Sequence, residues 1–352
     1  MISKNTSENP VGVVGAGSFG TVIANLLAVN QPVILYARRE AVREAIVKEK
    51  VHRGQQMHPR VAVTGDLAEL AERCTLIWPV VPSKNFRAMM RDLSPHLRPY
   101  HVLIHCTKGL DVLLTDREKE RFHDIKLNPN RVRTMSQVIA EESVVLRVGC
   151  MSGPNLAKEI ARGLPAGTVI ASHFNEVINL GRQALRSDRF MVFENHDLIG
   201  VELGGVLKNI LALGSGMVSG MGMGENARAL MITRGWRELM RIAGWFGSDK
   251  NAFMGLAGIG DMIATCSSPL SRNYTVGRRL AEGETLAHII ETMEEVAEGV
   301  NTVRTAMAVV RFMEKRAPMV EAFYSVLFED VPLEEAIHKL LVHRHGPDVD
   351  FM

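Results

Sequence analysis

Residues 11–20 read VGVVGAGSFG, an apolar run opening into Gly15-x-Gly17-x-x-Gly20. An apolar strand that enters a glycine-spaced turn and then a helix is how a parallel α/β sheet builds a dinucleotide pyrophosphate site. One glycine makes the turn, a second lets the backbone approach the phosphates, and the third packs helix against strand. Glycine triplets at this spacing also occur in tight turns that hold no ligand. Position strengthens this one: Val11 to Val14 has the length of a first strand, and Thr21 to Val29 (TVIANLLAV) follows as a buried helix.

The segments that follow alternate. Val33 to Tyr36, Val61 to Val63, Cys74 to Val81, His101 to Cys106 and Val144 to Cys150 read as strands. Arg39 to Glu49 and the stretch from Ser83 through Leu93 read as helices. Strands separated by helix-length segments predict a doubly wound parallel sheet, whose ligands bind outside the carboxyl ends of the strands. Pro82, Lys108 and Gly153, each just past a strand, are therefore where site residues belong. Leu110 to Glu142 is charged, fits the alternation poorly, and reads as helix, loop and helix.

After Phe190 to Glu194 the periodicity turns helical: Gly200 to Met217, Asn226 to Phe246, Thr285 to Met293, Thr302 to Glu314 and Met319 to Phe328. A chain of 352 residues is long for one core. We expect an α/β fold with a Rossmann-type, NAD(P)-binding domain over residues 8–193 and an all-helical, substrate-binding domain over 194–341.

Composition narrows the function classes. A net charge of +2 gives no reason to invoke nucleic acid or a membrane surface. The start, MISKNTSENP, has no apolar core of a secretory signal, and no apolar stretch reads as a membrane span. Cys74, Cys106, Cys150 and Cys266 lie far apart without a Cys-x-x-Cys, so buried thiols in a cytoplasmic protein are expected rather than bridges. No metal site is expected.

An acid about twenty residues past the glycines would select NAD through its ribose 2′-hydroxyl. That place reads Tyr36-Ala37-Arg38-Arg39-Glu40. Two guanidiniums there favour a 2′-phosphate, so NADPH is the expected cofactor, with NADH also usable. The alternative is a solvated helix start that happens to carry arginines, and Glu40 is a late candidate for the ribose.

Four stretches mark the second half. In Glu202-Leu-Gly-Gly-Val-Leu-Lys208-Asn209, Lys208 lies one helical turn after Gly204 and Gly205, with Ala212 one turn beyond. Such a stripe of small residues offers a floor that a ligand can approach, although helix lysines usually lie in solvent. Asp261 follows the glycine-rich GLAGIG and is either a site acid or a helix cap. Ser271-Arg272-Asn273 supplies hydroxyl, guanidinium and amide donors suited to phosphate oxygens, or is a helix start capped by Ser271. Val296-Ala-Glu298-Gly299 carries an acid, and its plainer reading is a helix end capped by Gly299.

Taken in order, GAGSFG, VVPS (80–83), TKGL (107–110), SGPNLAKE (152–159), ELGGVLKN (202–209), NARAL (226–230), TRG (233–235), GLAGIGD (255–261), SRNYTVGRRL (271–280) and VAEGV (296–300) are recognisable. They resemble the NAD(P)-dependent glycerol-3-phosphate dehydrogenases from about residue 10 to about 341, and most of all the bacterial biosynthetic type. That resemblance implies reduction of dihydroxyacetone phosphate to sn-glycerol 3-phosphate for phospholipid synthesis. It implies that Lys208 is the proton donor and acceptor. Lys108, Gly153, Asn155, Lys208, Asp261, Ser271, Arg272 and Asn273 match the family's substrate positions. Ser18, Phe19, Arg38, Lys108, Ala157, Arg272, Val296 and Glu298 match its cofactor contacts, beside Gly15, Gly17, Gly20 and Arg39 from the reading above. Two departures stand out: Asn155 occupies a place where Ser or Thr is commoner, and the segment between Leu110 and Ser152 is long. The expected partner is a small phosphorylated ketone or alcohol, and the expected assembly a homodimer.

The chemistry fits these residues. Reduction of a ketone develops an alkoxide, which a positioned ammonium can stabilise and protonate. Burial and a second cation such as Lys108 would bring a lysine toward neutral pH, and Asp261 could orient it. 6-Phosphogluconate and hydroxyacid dehydrogenases share the layout, but GLAGIGD and SRNYTVGRRL speak against them. A non-catalytic NADP(H)-binding regulator would have no need of Lys208, Asp261 and Arg272 together.

Overall fold

The computed structural model describes residues 9–293 and 297–342. The chain opens β1 (Val11–Val14), α1 (Ser18–Ala28), β2 (Val33–Tyr36), α2 (Glu40–Glu49), then a small ribbon of β3 (Val51–His52) and β4 (Gln55–Gln56). It continues β5 (Val61–Thr64), α3 (Leu67–Arg73), β6 (Leu76–Pro79), α4 (Ser83–Leu93) and β7 (Val102–His105). Next come β8 (Asp111–Val112), α5 (Asp116–Glu120), β9 (Val132–Arg133) and α6 (Met135–Glu142). The sheet is completed by β10 (Arg147–Ser152), α7 (Ala157–Ala161), β11 (Ala166–Ser172), α8 (Asn175–Leu185) and β12 (Phe190–Asn195).

The main sheet has eight strands in the order β12-β11-β10-β7-β6-β1-β2-β5. The order reverses beside β1, so the glycine turn stands at the crevice where such sheets take their ligands. Two apolar layers, one around Val22, Ile23, Trp78 and Ile104 and one around Ile34, Ile77, Phe86 and Leu103, cover the two faces. The sheet departs from the all-parallel expectation at one place: β10 and β11 pair antiparallel, with Cys150 opposite Ala171. Strand β11 itself was not anticipated. The chain returns through α7, and β11 runs back antiparallel beside β10. Leu110 to Glu142 contains the expected helices α5 and α6, and also the antiparallel ribbon of β8 with β9.

From Leu198 onward the described residues are helical. The elements are α9 (Leu198–Gly220), α10 (Gly224–Gly244), α11 (Lys250–Met254), a π-helical turn (Leu256–Gly260) and α12 (Asp261–Ser267). Then follow α13 (Arg272–Ala281), α14 (Leu286–Thr292), α15 (Glu298–Met313), α16 (Pro318–Phe328) and α17 (Leu333–Val342). Gly299 lies in the first turn of α15, not at a helix end as its plainer reading had it.

Helix α9 is the axis of this half, and every residue from Gly200 to Val218 is buried. It corrects the sequence reading on membrane spans: α9 is long and apolar enough to cross one. However, 94% of its apolar window lies inside the protein, as expected of a core helix. Its glycines bring α13 into near-backbone contact. A Cβ on Gly277 would lie 1.9 Å from the Leu213 carbonyl oxygen, and one on Gly216 2.0 Å from that of Tyr274. Gly277→Ala is therefore expected to force the two helices apart and cost about 1–3 kcal/mol, the usual scale of overpacking. Thermal denaturation checks this, and an unchanged midpoint would show that α13 slides freely on α9.

Candidate functional site

At the carboxyl end of β1 the turn is closed by its own backbone. Gly15 has φ +125°, which favours glycine, and a Cβ there would meet the Val80 carbonyl oxygen at 2.4 Å. A Cβ on Gly20 would lie 1.8 Å from the Gly15 carbonyl oxygen. Gly17 is different, since a Cβ there would meet nothing within 4 Å. Helix α1 begins with no side-chain cap and no acid in its first turn, so its leading N–H groups remain available to an anion. Two glycines thus pack the turn, and the third opens a cradle of backbone donors. These features fit a dinucleotide. Ser18 and Phe19 start the same helix.

Arg38, Arg39 and Glu40 follow β2, and all three are exposed. Arg43, one turn into α2, donates to the carbonyl oxygens of Ala37 (2.8 Å) and Arg38 (3.0 Å) and so fixes the backbone beneath them. The ribbon β3–β4 folds toward the glycine turn, with His52 Nε2 3.0 Å from the Ala16 carbonyl oxygen.

A second cluster gathers groups that are far apart in the chain. Lys208 Nζ donates to Asp261 Oδ1 (2.6 Å) and to the Thr265 hydroxyl. Lys108 Nζ donates to Asp261 Oδ2 (2.6 Å) and to the Gly153 carbonyl oxygen (2.8 Å). One carboxylate thus holds two ammoniums. Lys208 is only 5% exposed. Burial pushes its ammonium down from the ordinary 10.5; Asp261 pulls it back and the Lys108 charge lowers it again, leaving it at about 8. Asp261 opens α12 and serves as the acid of the cluster rather than only as a cap.

The stripe of small residues beside Lys208 is not an open floor. A Cβ on Gly205 would meet the Ser152 hydroxyl at 2.5 Å and Lys108 Cδ at 3.6 Å, and Gly204 faces the backbone of Ala257 and Gly258. Protein fills the space that the sequence offered to a ligand. The small side chains serve instead to let Lys108 reach Asp261.

A third cluster lies one residue further along the segments that carry Lys108 and Lys208. Asn273 Oδ1 accepts from the Gly299 N–H (2.9 Å), and the Asn209 carbonyl oxygen sits where a Cβ on Gly299 would be, 2.8 Å away. Glu298 accepts from the Ser83 backbone N–H (3.2 Å) and hydroxyl (2.7 Å) at the start of α4. Gly109, beside Lys108, packs against Ser83 and Glu298. Ser271 caps α13, accepting from the Tyr274 N–H (3.3 Å). Arg272 is the first residue of that helix and exposed, between the buried Ser271 and Asn273.

Gly153 has φ +147° and its carbonyl holds Lys108, so it belongs to the lysine cluster. Asn155 braces β11 with part of its amide: it donates to the Gly167 carbonyl oxygen (3.2 Å) and accepts from the Thr168 hydroxyl (3.0 Å). Ala157 starts α7 and packs against the layer that carries α1. Val296 lies outside the described residues. Sequence reasoning missed Thr265 and Ser83. Thr265 was findable, because it follows Asp261 by one helical turn and so shares its face. All four cysteines are free and buried, as expected.

Two family models match the chain. The NAD-dependent glycerol-3-phosphate dehydrogenase N-terminus covers residues 10–178, and the corresponding C-terminus covers 197–338. The chain belongs to this family. A glycerol-3-phosphate dehydrogenase (NAD(P)+) from Pseudomonas aeruginosa is 38% identical over 354 residues, spanning 99% of this chain and 98% of its own. The crystal structure of glycerol-3-phosphate dehydrogenase from Coxiella burnetii superposes with a TM-score of 0.84 at 30% identity, covering 96% of this chain and 99% of that one. The enzyme from Saccharomyces cerevisiae shares the fold at 23% identity, with a TM-score of 0.80 over 94% of this chain and 99% of its own. In this dehydrogenase family member the glycine cradle follows β1 and Lys108 of the lysine cluster follows β7, the two strands that flank β6. Thr107 connects them, its hydroxyl donating to the Val81 carbonyl oxygen (2.6 Å) beside the Val80 that packs on Gly15.

Removing the shared carboxylate tests the cluster. Asp261→Ala strands two ammoniums, one of them buried, and should cost about 3–5 kcal/mol of stability. Denaturant unfolding measures it; a loss under about 1 kcal/mol would mean that water already screens the pair.

Proposed function

We propose that this chain reduces dihydroxyacetone phosphate to sn-glycerol 3-phosphate, a reversible reaction that supplies glycerophospholipid synthesis. The observation that carries the reading is the single carboxylate holding two lysines beside a dinucleotide cradle. When bound, the reduced dinucleotide supplies the hydride to the ketone carbon. Lys208 supplies the proton. A lysine ammonium has three N–H donors; Asp261 and Thr265 take two and the third is left for the carbonyl oxygen. As the alkoxide develops, that donor stabilises it and then transfers its proton. Lys108 adds a second positive charge, and Asp261 holds both lysines in place.

Among the described residues the Asn273 amide uses only its oxygen, on the Gly299 N–H, and with Arg272 and Ser271 it would form the substrate's phosphate grip. Phosphate binding there aligns the carbonyl on Lys208, which is how remote binding energy assists the reacting centre. Gly153 and Asn155 complete the substrate side. Gly15, Gly17, Ser18, Phe19, Gly20, Ala157 and Glu298 make the cofactor side. The same reading divides the chain into a cofactor-binding part, 8–193, and a helical part, 194–341, and takes a homodimer as the assembly.

Oxidation of NADPH and NADH with dihydroxyacetone phosphate, followed by absorbance, tests the function. Lys208→Ala should lower kcat about 10²-fold or more while the cofactor still binds. Reduction needs the protonated lysine, so kcat/KM for the ketone should fall as pH rises through about 8. The reverse oxidation needs the neutral amine and should rise through the same range. Identical pH profiles in both directions would remove Lys208 from proton transfer.

NADPH preference is the finer part of the reading, supported by Arg38 and Arg39 at the exposed end of β2. Replacing both by neutral residues should raise KM for NADPH and leave KM for NADH nearly unchanged. Equal efficiency with both cofactors in the unmutated enzyme would assign these arginines to a solvated helix start.

A further inference from the structure

Six residues before Lys208 on α9 stands Glu202, and three residues before Lys108 stands His105, the last residue of β7. Both are buried, at 6% and 1% exposure, and His105 Nε2 lies 2.9 Å from Glu202 Oε1. The Ser136 backbone N–H (2.9 Å) and hydroxyl (2.5 Å), at the start of α6, donate to the Glu202 carboxylate. Nothing in the proposed chemistry uses this pair.

We propose that Glu202 and His105 are a positioning pair, which sets the strand end carrying Lys108 against the helix carrying Lys208 so that both lysines meet Asp261. The lengths agree. Six helical residues rise ~9 Å, and three extended residues reach at most ~10–11 Å. The two elements are thus tied at both ends of a matched span, by His105–Glu202 at one end and by the shared carboxylate at the other. Between the ties they touch, since Gly205 has no room for a Cβ against Ser152 and only contact distance to Lys108. The opposite side of the same loop is held by Thr107 on Val81.

A role in stability alone explains the pair poorly, because buried ion pairs are often replaceable by apolar groups without loss. Their better-attested use is to fix register. The charged and titratable surroundings are few. Cys150 from β10 is raised by burial and then by the Glu202 charge, and Cys106 follows His105. Burial pushes the Glu202 carboxyl up, but the His105 charge and the Ser136 bonds outweigh it and hold it below the ordinary range. Lys208 faces Asp261, Thr265 and Cys266 from α12 and Lys108 from the loop after β7.

The inference rests on the proton-transfer role of Lys208, and the experiment separates the two. The double variant Glu202→Gln/His105→Leu removes the carboxylate and the imidazole together, while the amide oxygen can still accept from the Ser136 N–H. We expect it to fold with a midpoint within a few degrees of the parent, with kcat for dihydroxyacetone phosphate down tenfold or more and KM for NADPH within twofold. The pH limb near 8 should move upward, because Lys108 no longer presses its charge on Lys208. The single variant His105→Gln, which puts an amide within reach of Glu202 where the imidazole makes a 2.9 Å contact without a well-aligned hydrogen bond, should keep most of the parent kcat. Lysine-labelled NMR of the ligand-free protein reads the Lys208 titration without any turnover. An inactive parent with a displaced Lys208 titration in the double variant would count against the dehydrogenase reading alone. A folded double variant with unchanged kcat and unchanged Lys208 titration would overturn the positioning role. Failure of the double variant to fold would also overturn it, by assigning the pair to the core.

Discussion

One carboxylate determines the geometry of this protein's centre. Asp261 is 1% exposed and carries an ammonium on each oxygen. Two buried or half-buried cations would repel each other, and neither could stay without a shared counter-charge. The lysines come from opposite halves of the chain, one from the loop after β7 and one from α9. The carboxylate therefore fixes the orientation of the helical half on the sheet as well as the electrostatics of the cluster. Close packing serves the same end. Gly205 lets Lys108 pass, and the glycines of α9 and α13 bring the two helices together without side chains between them.

Much of the sheet was legible because the signals were local. β1 and β2 occupy the residues that alternation assigned, and α9, α10, α14, α15 and α16 fall on the apolar periods to within a few residues, whereas α11, α12 and α17 were not read and α13 stood only as an alternative. β11 was missed because AGTVIAS opens on small residues directly after Gly163-Leu164-Pro165, and because antiparallel return beside β10 is a matter of partner choice that local pattern does not encode. The plainer of the two readings of Gly299 failed for a related reason. Glycine is tolerated at both helix ends, and here the deciding contact is Asn273, 26 residues away.

The site was legible as residue types and not as connections. Lys208, Lys108 and Asp261 could be named, but 53 and 153 residues separate the partners of the two ion pairs. Glu202 and His105 were hidden for a different reason. Each sits inside an apolar run, IGVELGG and HVLIHC, where a polar residue reads as an interruption until its partner is known. The long segment after Leu110 had no local explanation either, and its contacts supply one. Leu127 and Val132 bury against Ala308 and Val309, and the Leu127 N–H donates to the Ala308 carbonyl oxygen (2.9 Å). Arg304 lies over the ring of Phe122 (5.6 Å) and that of Phe328 (4.6 Å). The segment grips α15, the helix that begins with Glu298 and Gly299.

This arrangement decides from which side an anion reaches the buried lysine. Within the cluster, the side chains of Lys208 and Asp261 are 6% and 2% exposed and that of Lys108 is 22% exposed. Below about pH 8 Lys208 keeps its proton, and the cluster sets two ammoniums against one carboxylate. Under the function proposed above, a phosphorylated ketone would meet Lys108 first, on the side where solvent still screens the charge. Its attraction then strengthens as water is displaced toward Lys208, because the same charge acts through a lower dielectric. The selective step is the last one. A ligand without a carbonyl oxygen for the third Lys208 donor would leave that N–H buried and unsatisfied, at a cost of about 1–3 kcal/mol. The burial that lowers the proton affinity of Lys208 also makes it discriminate among the ligands that reach it.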